Sequence, residues 1–457
     1  MTPAAGGRVA LLGPRAQRTV LVGMVAYLAL GAFEALAVST AMPTVAAELD
    51  GLRLYTGAFA ASSAAAVVGM LVAGRWTDRR GPTPPLWTGI ALFLAGLVVA
   101  GCAPSMPVLI AGRALQGAGT GLEGVALYVL VARVFPPERR ARVFAWFAAA
   151  WVVPGVVGPL LAGAVTQYLG WRWVFLAVPV LAVPALLALR PGLAAARRAS
   201  SVTSIDEGDD EDGDDGSGGD APWRGVARAV LHGTRGLGTV VLVRALVAAS
   251  FVGAEVLLPL ALTRERGLPP AFAGAVLTLS VLGWSAGSWV RGRGVRGLSD
   301  TAFLGLGGAL LTLGTAGVAL LAVPAVPLVA GAAPWVLSGL GMGLTYPTLN
   351  LLVLELAPPS AQGASMSALQ VADAVASAVA LTGTGALLWA LHDRIGGAAY
   401  AVCLVLAAVL ALSATLLARR TRALPRGTRG AVVTNPLARA SGLRDAADED
   451  ALPARSL

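Results

Sequence analysis

The chain has 457 residues, 56% hydrophobic and only 13% charged, with a mean hydropathy of +0.74. A water-soluble protein of this size carries about a quarter charged residues, so these charges are too few to coat a soluble particle, and a soluble enzyme is excluded. The formal charge of +9 comes from 34 arginines and no lysine against 25 acidic residues. The arginines sit in short loops beside apolar runs, the pattern that orients a membrane protein, and nucleic acid is not an expected partner.

Many apolar runs exceed the ~18–20 residues needed to cross a bilayer. In chain order they predict twelve helices, at 20–42, 55–74, 86–103, 107–133, 142–168, 172–190, 238–262, 271–290, 301–321, 327–355, 361–390 and 397–418. Only helices are expected, because isolated strands leave backbone groups unpaired in lipid. The first span is long, follows a basic N-terminus and lacks an A-x-A cleavage site, so it reads as retained. With the N-terminus inside, the cytoplasmic segments hold 27 arginines, and the external loops hold five: Arg53, Arg172, Arg264, Arg266 and Arg394. The remaining two, Arg113 and Arg244, lie within helices. This asymmetry fits an even number of spans with both termini cytoplasmic.

The expected organisation is therefore an all-α membrane protein. Residues 1–19 form a cytoplasmic N-terminus and 20–190 a six-helix bundle. An acidic disordered linker occupies 191–237, a second six-helix bundle 238–418, and a disordered cytoplasmic tail 419–457. Nine of the 25 acidic residues crowd into 206–220, among Gly and Ser, where no apolar area can be buried. That run reads as a solvated linker or as a partner-binding acidic segment. The tail arginines can rest on anionic lipid heads. Cys102 and Cys403 fall in separate spans and offer neither a disulfide framework nor metal spacing, and His232 and His392 read as loop residues.

An internal repeat organises the spans. Helix four contains Arg113-Ala-Leu-Gln116-Gly117-Ala-Gly119-Thr-Gly121 and ends at Pro136-Pro137; helix ten contains Trp335-Val-Leu-Ser338-Gly339-Leu-Gly341-Met-Gly343 and ends at Pro358-Pro359. One offset of 222 (117 to 339, 136 to 358) superimposes the glycines and prolines without a gap. Helices two and eight echo each other more weakly, in Tyr55-Thr-Gly57-Ala58 and Phe272-Ala-Gly274-Ala275. Two parallel six-helix halves on a long linker is a transporter architecture.

After helix two comes Gly74-Arg-Trp76-Thr-Asp78-Arg79-Arg80-Gly81, where the two glycines permit a tight turn and Asp78 with the arginines can form a charge latch. Here the chain resembles the major facilitator superfamily, whose loop between helices two and three reads G-x-L-a-D-r-x-G-r-k. Trp76 stands in place of Leu, and Pro82-Thr83 replace the final basic pair. The loop after helix eight, from Gly287 through Arg291, keeps arginines but lacks the Asp. Arg113-x-x-Gln116-Gly117 in helix four is similar to the family's R-x-x-Q-G motif, whose arginine is tied to proton transfer. Pro154-Gly155-Val-Val-Gly158-Pro159-Leu-Leu-Ala162-Gly163 in helix five is similar to the antiporter motif, which marks exporters. Gly170-Trp171-Arg172-Trp173 resembles a sequence common in drug:proton antiporters. The resemblance covers residues 20–418 and implies twelve helices, a monomer and alternating access.

Ionisable residues inside spans are costly and are the site candidates. Glu34 and Arg113 lie at similar depths, ~12 and ~9 Å from the external face at 1.5 Å per residue, so they can pair. Glu255 sits at comparable depth in helix seven, and Asp373 near the midplane of helix eleven. Burial and a neighbouring arginine act in opposite senses on a carboxyl's hold on its proton, which makes a protonation switch feasible. These four are the proton-coupling candidates, each also readable as structural. Glu123 reads as a partner for loop arginines and Glu355 as interfacial. The resemblance places helices one, four, seven and ten around the cavity, so Tyr346 and Asn350 become substrate contacts. Trp146 and Trp151 offer aromatic faces for a lipophilic cation or plain packing against lipid.

No P-loop, zinc spacing or nucleophile elbow occurs. No enzyme activity, cofactor or metal is expected, only the proton gradient as energy source. The reading is a secondary transporter exporting drug-like or amphipathic small molecules against protons. Its alternatives are an exporter or proton symporter of one metabolite, or a non-transporting receptor. The all-Arg, Ala-rich usage points to a GC-rich genome and a bacterial plasma membrane.

Overall fold

Lipid offers no hydrogen-bond partners, so a chain this apolar crosses it as helices whose backbone groups pair internally. A computed structural model describes residues 14–136, 139, 143, 146, 147, 149–206, 236–293, 298–323, 325–356 and 362–421. The first half contributes α1 (Pro14–Glu48), α2 (Tyr55–Arg80), α3 (Thr83–Gly101), α4 (Met106–Val134), α5 (Val152–Tyr168) and α6 (Arg172–Asp206). The second contributes α7 (Leu237–Arg264), α8 (Pro270–Arg293), α9 (Asp300–Val318), α10 (Trp335–Leu356), α11 (Gln362–Ile395) and α12 (Ala398–Leu417). A one-turn helix, Leu328–Ala332, leads into α10. Eleven spans among the described residues are long and apolar enough to cross a membrane; α5 is shorter and begins at Val152 rather than at 142, and residues 142, 144, 145 and 148 lie outside the described residues.

The helices outrun their apolar cores, because hydropathy marks what lipid covers while a helix continues until something stops it. α2 was expected to end at 74, with Gly74 in a turn. Instead Gly74 lies inside the helix, which runs on through Asp78, Arg79 and Arg80. Two arginines in the last turn suit the negative end of the helix dipole, and the chain turns at Gly81, whose φ of 75° favours glycine. α6 likewise continues past 190 to Asp206. Residues 191–206, expected in the disordered linker, are thus helical; the rest of the linker to 235, with the acidic run after Asp206, and the tail from 422 lie outside the described residues.

Twelve helices among the described residues, alternating in direction, bring both ends of the helical body to one face, the termini face; the opposite is the distal face. α4 packs against α2 and α3, α1 against α5 and α6, and α3 against α6. Adding six to each label gives the second half: α10 with α8 and α9, α7 with α11 and α12, α9 with α12. The repeat glycines explain the closest of these contacts. A Cβ on Gly117 would lie 2.0 Å from the Ser62 carbonyl oxygen, and on Gly339 1.8 Å from that of Ser280. Gly119 and Gly121 meet Gly89 and Ala66 as Gly341 and Gly343 meet Gly307 and Trp284. The partners are all 218 residues apart (62 to 280, 66 to 284, 89 to 307). Without a water-driven force between helices in lipid, this backbone approach supplies the packing.

Between halves, α2 packs on α11 and α5 on α8. Several of these contacts lie on the distal side. Tyr55 donates to the Val256 carbonyl at 2.7 Å, and exposed Arg53 lies 3.8 Å from Asp393. A Cβ on Gly385 would strike Thr56, and one on Gly274 would strike the Pro159 carbonyl. The first half's apolar core also extends into Val256, Leu257 and Leu260 of α7 and Leu388 of α11. These residues tie the two halves together on the distal side.

Gly117→Ala and Gly339→Ala should each lower stability to thermal unfolding in detergent by about 1–3 kcal/mol, since backbone must move to admit the methyl group. Gly31→Ala, where a Cβ meets nothing within 4 Å, should be near neutral in the same assay.

Candidate functional site

Helical spacing puts Tyr27 and Glu34 on one face of α1, two turns apart, and Arg113, Gln116, Thr120 and Glu123 on one face of α4. At the upper rung, toward the distal face, Arg113 Nη1 lies 2.6 Å from Glu34 Oε1 and donates to Gln116 Oε1 at 2.9 Å. Gln116 Nε2 donates to the same Glu34 oxygen at 3.0 Å. Both charged side chains are buried, 8% and 5% exposed, and the guanidinium lies beside the Phe59 ring. So buried a pair persists only when paired and hydrogen-bonded, as here; Arg113 Nε is a buried donor without a partner. At the lower rung the Tyr27 hydroxyl donates to Glu123 Oε2. Glu123 thus faces α1 rather than the loop arginines.

The second half holds a matching cluster. Arg244 Nη2 lies 3.0 Å from Asp373 Oδ2, and Nη1 donates to Asn350 Oδ1 at 3.3 Å. Its guanidinium sits over the Tyr346 ring, 3.4 Å from the centroid, and the Tyr346 hydroxyl donates to Asp373 Oδ1 at 3.0 Å. Phe251, Trp284 and Trp335 extend the aromatic face through edge and stacked contacts. The two clusters sit at opposite depths. Arg113 is seven residues from the distal end of α4 (106 to 113) and Arg244 seven from the termini end of α7 (237 to 244), each ~10 Å. Asp373 is 25% exposed, so this pair is wetter than the first.

The candidates divide accordingly. Glu34, Arg113 and Gln116 converge, as do Asp373, Tyr346 and Asn350. Glu255 is half-buried, one turn from Phe251, and no side chain among the described residues pairs with it. Trp146 and Trp151 are half-exposed and make no described contact with either cluster. Gly155 meets Val281, Gly158 meets Phe33, Gly163 meets Ala271, and Pro159 meets Gly274, so the antiporter-like stretch of α5 forms the wall against α8 and α1. Arg79 is exposed, while the side chain of Asp78 lies outside the described residues.

Three groups escaped the sequence reading. Arg244 was noted in a helix but not paired with Asp373, although an intramembrane arginine and carboxylate in one half call for each other. Tyr27 carried no signal. The acid missing from the loop after helix eight is supplied by Asp300, which accepts from Arg291, itself bonded through Nε to Thr348 at 2.7 Å. His392, expected in a loop, lies in the last turn of α11 against Trp389 and Tyr400.

Two repeated six-helix halves, each with an intramembrane arginine–carboxylate pair, make up the described helical body. Residues 19–381 match the Major Facilitator Superfamily, and the chain belongs to that family. An uncharacterized MFS-type transporter of Mycobacterium tuberculosis is 34% identical over 186 residues, 38% of this chain and 27% of that protein. Multidrug resistance protein 3 of Bacillus subtilis is 30% identical over 172 residues, 37% of this chain and 34% of that protein. The matched segment thus spans about a third or less of these curated relatives. Among solved structures, an auto-inhibited POT family peptide transporter superposes with a TM-score of 0.67 at 16% identity, covering 91% of this chain and 98% of that one. A D-xylose–proton symporter does so with 0.62 at 16%, covering 86% and 96%. At such identities these two share the fold.

Arg113→Met leaves a buried carboxylate without its counter-charge and should cost about 3–5 kcal/mol. Glu34→Gln combined with Arg113→Met should recover most of that loss. Thermal unfolding of the single and double variants in detergent reads the difference. For Arg244 and Asp373 the same cycle should show a smaller coupling, because water reaches Asp373.

Proposed function

We propose that this transporter is a proton-coupled exporter of drug-like or amphipathic small molecules, with the termini face cytoplasmic and the chain in a bacterial plasma membrane. The observation that carries the reading is the buried triad of Glu34, Arg113 and Gln116. A carboxylate held by an arginine inside a span changes the local charge by one unit when it takes a proton, and in low dielectric that change is large enough to bias two packings. With Glu34 ionised, Arg113 is neutralised. With Glu34 protonated, Arg113 carries an uncompensated charge, and the halves settle where water reaches it. Rocking about the α2–α11 and α5–α8 contacts then exposes the central region alternately. Protonation from outside accompanies substrate release there, and the proton leaves on the cytoplasmic side.

Export is supported by the antiporter-like stretch of α5 against α8 and by relatives named as multidrug proteins, one being multidrug transporter protein MdtP of Bacillus subtilis. The arginine asymmetry supports the orientation. The partly exposed Asp373–Arg244–Tyr346 cluster with its aromatic neighbours is the proposed substrate wall, and Asp78 with Arg79 the proposed latch on the cytoplasmic side.

The test uses everted vesicles carrying the protein, energised to acidify the lumen and followed with a pH-quenched dye. Addition of a panel of lipophilic cations, ethidium included, and neutral drugs should dequench wild type for some compounds, and Glu34→Gln should abolish the response. Silence across the panel would shift the weight to a single-metabolite or uncoupled transporter.

A further inference from the structure

The structure carries a second carboxylate on the same α1–α4 face, and no basic side chain among the described residues pairs with it. Glu123 accepts a hydrogen bond from Tyr27 and has no ion-pair partner among the described residues. An ionised carboxylate with one phenol donor is poorly compensated inside a span, so as a purely structural element it is a poor choice. Its position suggests another role. Tyr27 lies seven residues below Glu34 on α1, and Glu123 seven below Gln116 on α4, so the two rungs are ~10 Å apart.

The face between the rungs has open space. Gly31, between Tyr27 and Glu34, has no Cβ, and one built there would meet nothing within 4 Å; the same holds for Gly124 beside Glu123. Thr120, midway between Gln116 and Glu123, is exposed, with its hydroxyl bonded to the Gln116 carbonyl. Glu123 is itself partly exposed, whereas Glu34 is 4% exposed. The contacts between the halves named above lie toward the distal face, and from Glu34 to Glu123 this face leads toward the termini.

Resting on the reading of Glu34 as the proton-carrying group, we propose that Tyr27 and Glu123 form the lower station of a proton path running along the α1–α4 face from Glu34 to the termini side. The Glu34 carboxylic acid gives its proton to water beside Gly31 and Thr120, returning to a carboxylate paired with Arg113. A chain of about two or three waters, ~2.8 Å apart, delivers a proton to the Glu123 carboxylate. Glu123 then releases it to water on the termini side and is restored as the acceptor of the Tyr27 hydroxyl. No bond other than O–H changes. The path runs within the first half, apart from the Asp373 cluster, so proton release and substrate contact are spatially separate. Tyr27 is a positioning residue, and Glu123 the group that bears the proton.

The test compares two activities in the same vesicles, using ethidium or whichever panel compound drives wild-type dequenching. Coupled proton flux requires the path; counterflow of labelled against unlabelled substrate at equal pH on both sides involves no net proton movement. Glu123→Gln should reduce coupled flux at least about tenfold, the order of a lost proton-transfer group, while leaving counterflow within about twofold. Tyr27→Phe, which keeps the carboxylate, should reduce flux by less, and Glu123→Asp should restore part of it. Wild-type flux in Glu123→Gln overturns the proposal, and so does parallel loss of flux and counterflow in both Glu123→Gln and Tyr27→Phe. Glu34→Gln run alongside separates the failures: if it keeps coupled flux, the reading of Glu34 falls; if it loses flux while Glu123→Gln does not, only the path falls.

Discussion

A charge in the middle of a bilayer has no water to solvate it, and this constraint arranges the interior of the protein. Glu34 and Arg113 sit 2.6 Å apart with Gln116 bridging them, because either alone would cost several kcal/mol. The same necessity joins Arg244 to Asp373, with Asn350 accepting from Arg244 and Tyr346 donating to Asp373. Each half therefore has one internal ion pair linking helices that sequence separates widely, α1 to α4 and α7 to α11. An interaction that expensive to leave unmade suits the switch proposed for Glu34, since adding one proton removes half of it.

Around these pairs the framework is built from absence of side chain. Lipid gives helices no hydrophobic reason to associate, so contact area must come from close backbone approach. Gly117, Gly119 and Gly121 provide it between α4 and its neighbours, and Gly339, Gly341 and Gly343 repeat it for α10. The halves meet by the same device at Gly163, Gly274 and Gly385, which bring α5 onto α8 and α11 onto α2. Closely packed halves and a small-residue seam between them are what the proposed rocking requires.

Much of this was legible in the sequence, and the reason is physical. Apolar runs long enough for lipid leave no alternative to helices, and the 222-residue offset follows from glycines that only a close crossing requires. Glu34 and Arg113 were recognisable as a pair because intramembrane charge is rare and depth can be counted along a helix. Other features were not legible. Nothing in local sequence tells that Tyr27 rather than a loop arginine faces Glu123, since that depends on the rotation of α1 against α4. Arg244 could have been paired with Asp373 by the reasoning used for Glu34; Asn350 and Tyr346 joined them only once α10 was packed between. The extension of α2 through Asp78 and of α6 to Asp206 escaped because hydropathy reports where lipid ends, not where a helix does.

The account stands on the Glu34–Arg113 pair governing which face is open. The most direct measurement is pulsed electron–electron distance between spin labels, with Cys102 and Cys403 replaced by Ala. One pair of labels sits at Arg53 and Asp393 on the distal face, another at Arg80 and Arg293 on the termini face; all four positions are exposed. At alkaline pH with a transported compound, the distal distance should lengthen and the termini distance shorten. In Glu34→Gln the distal distance should stay short under every condition. Distances that change together, or a Glu34→Gln protein that opens its distal face as wild type does, would contradict it.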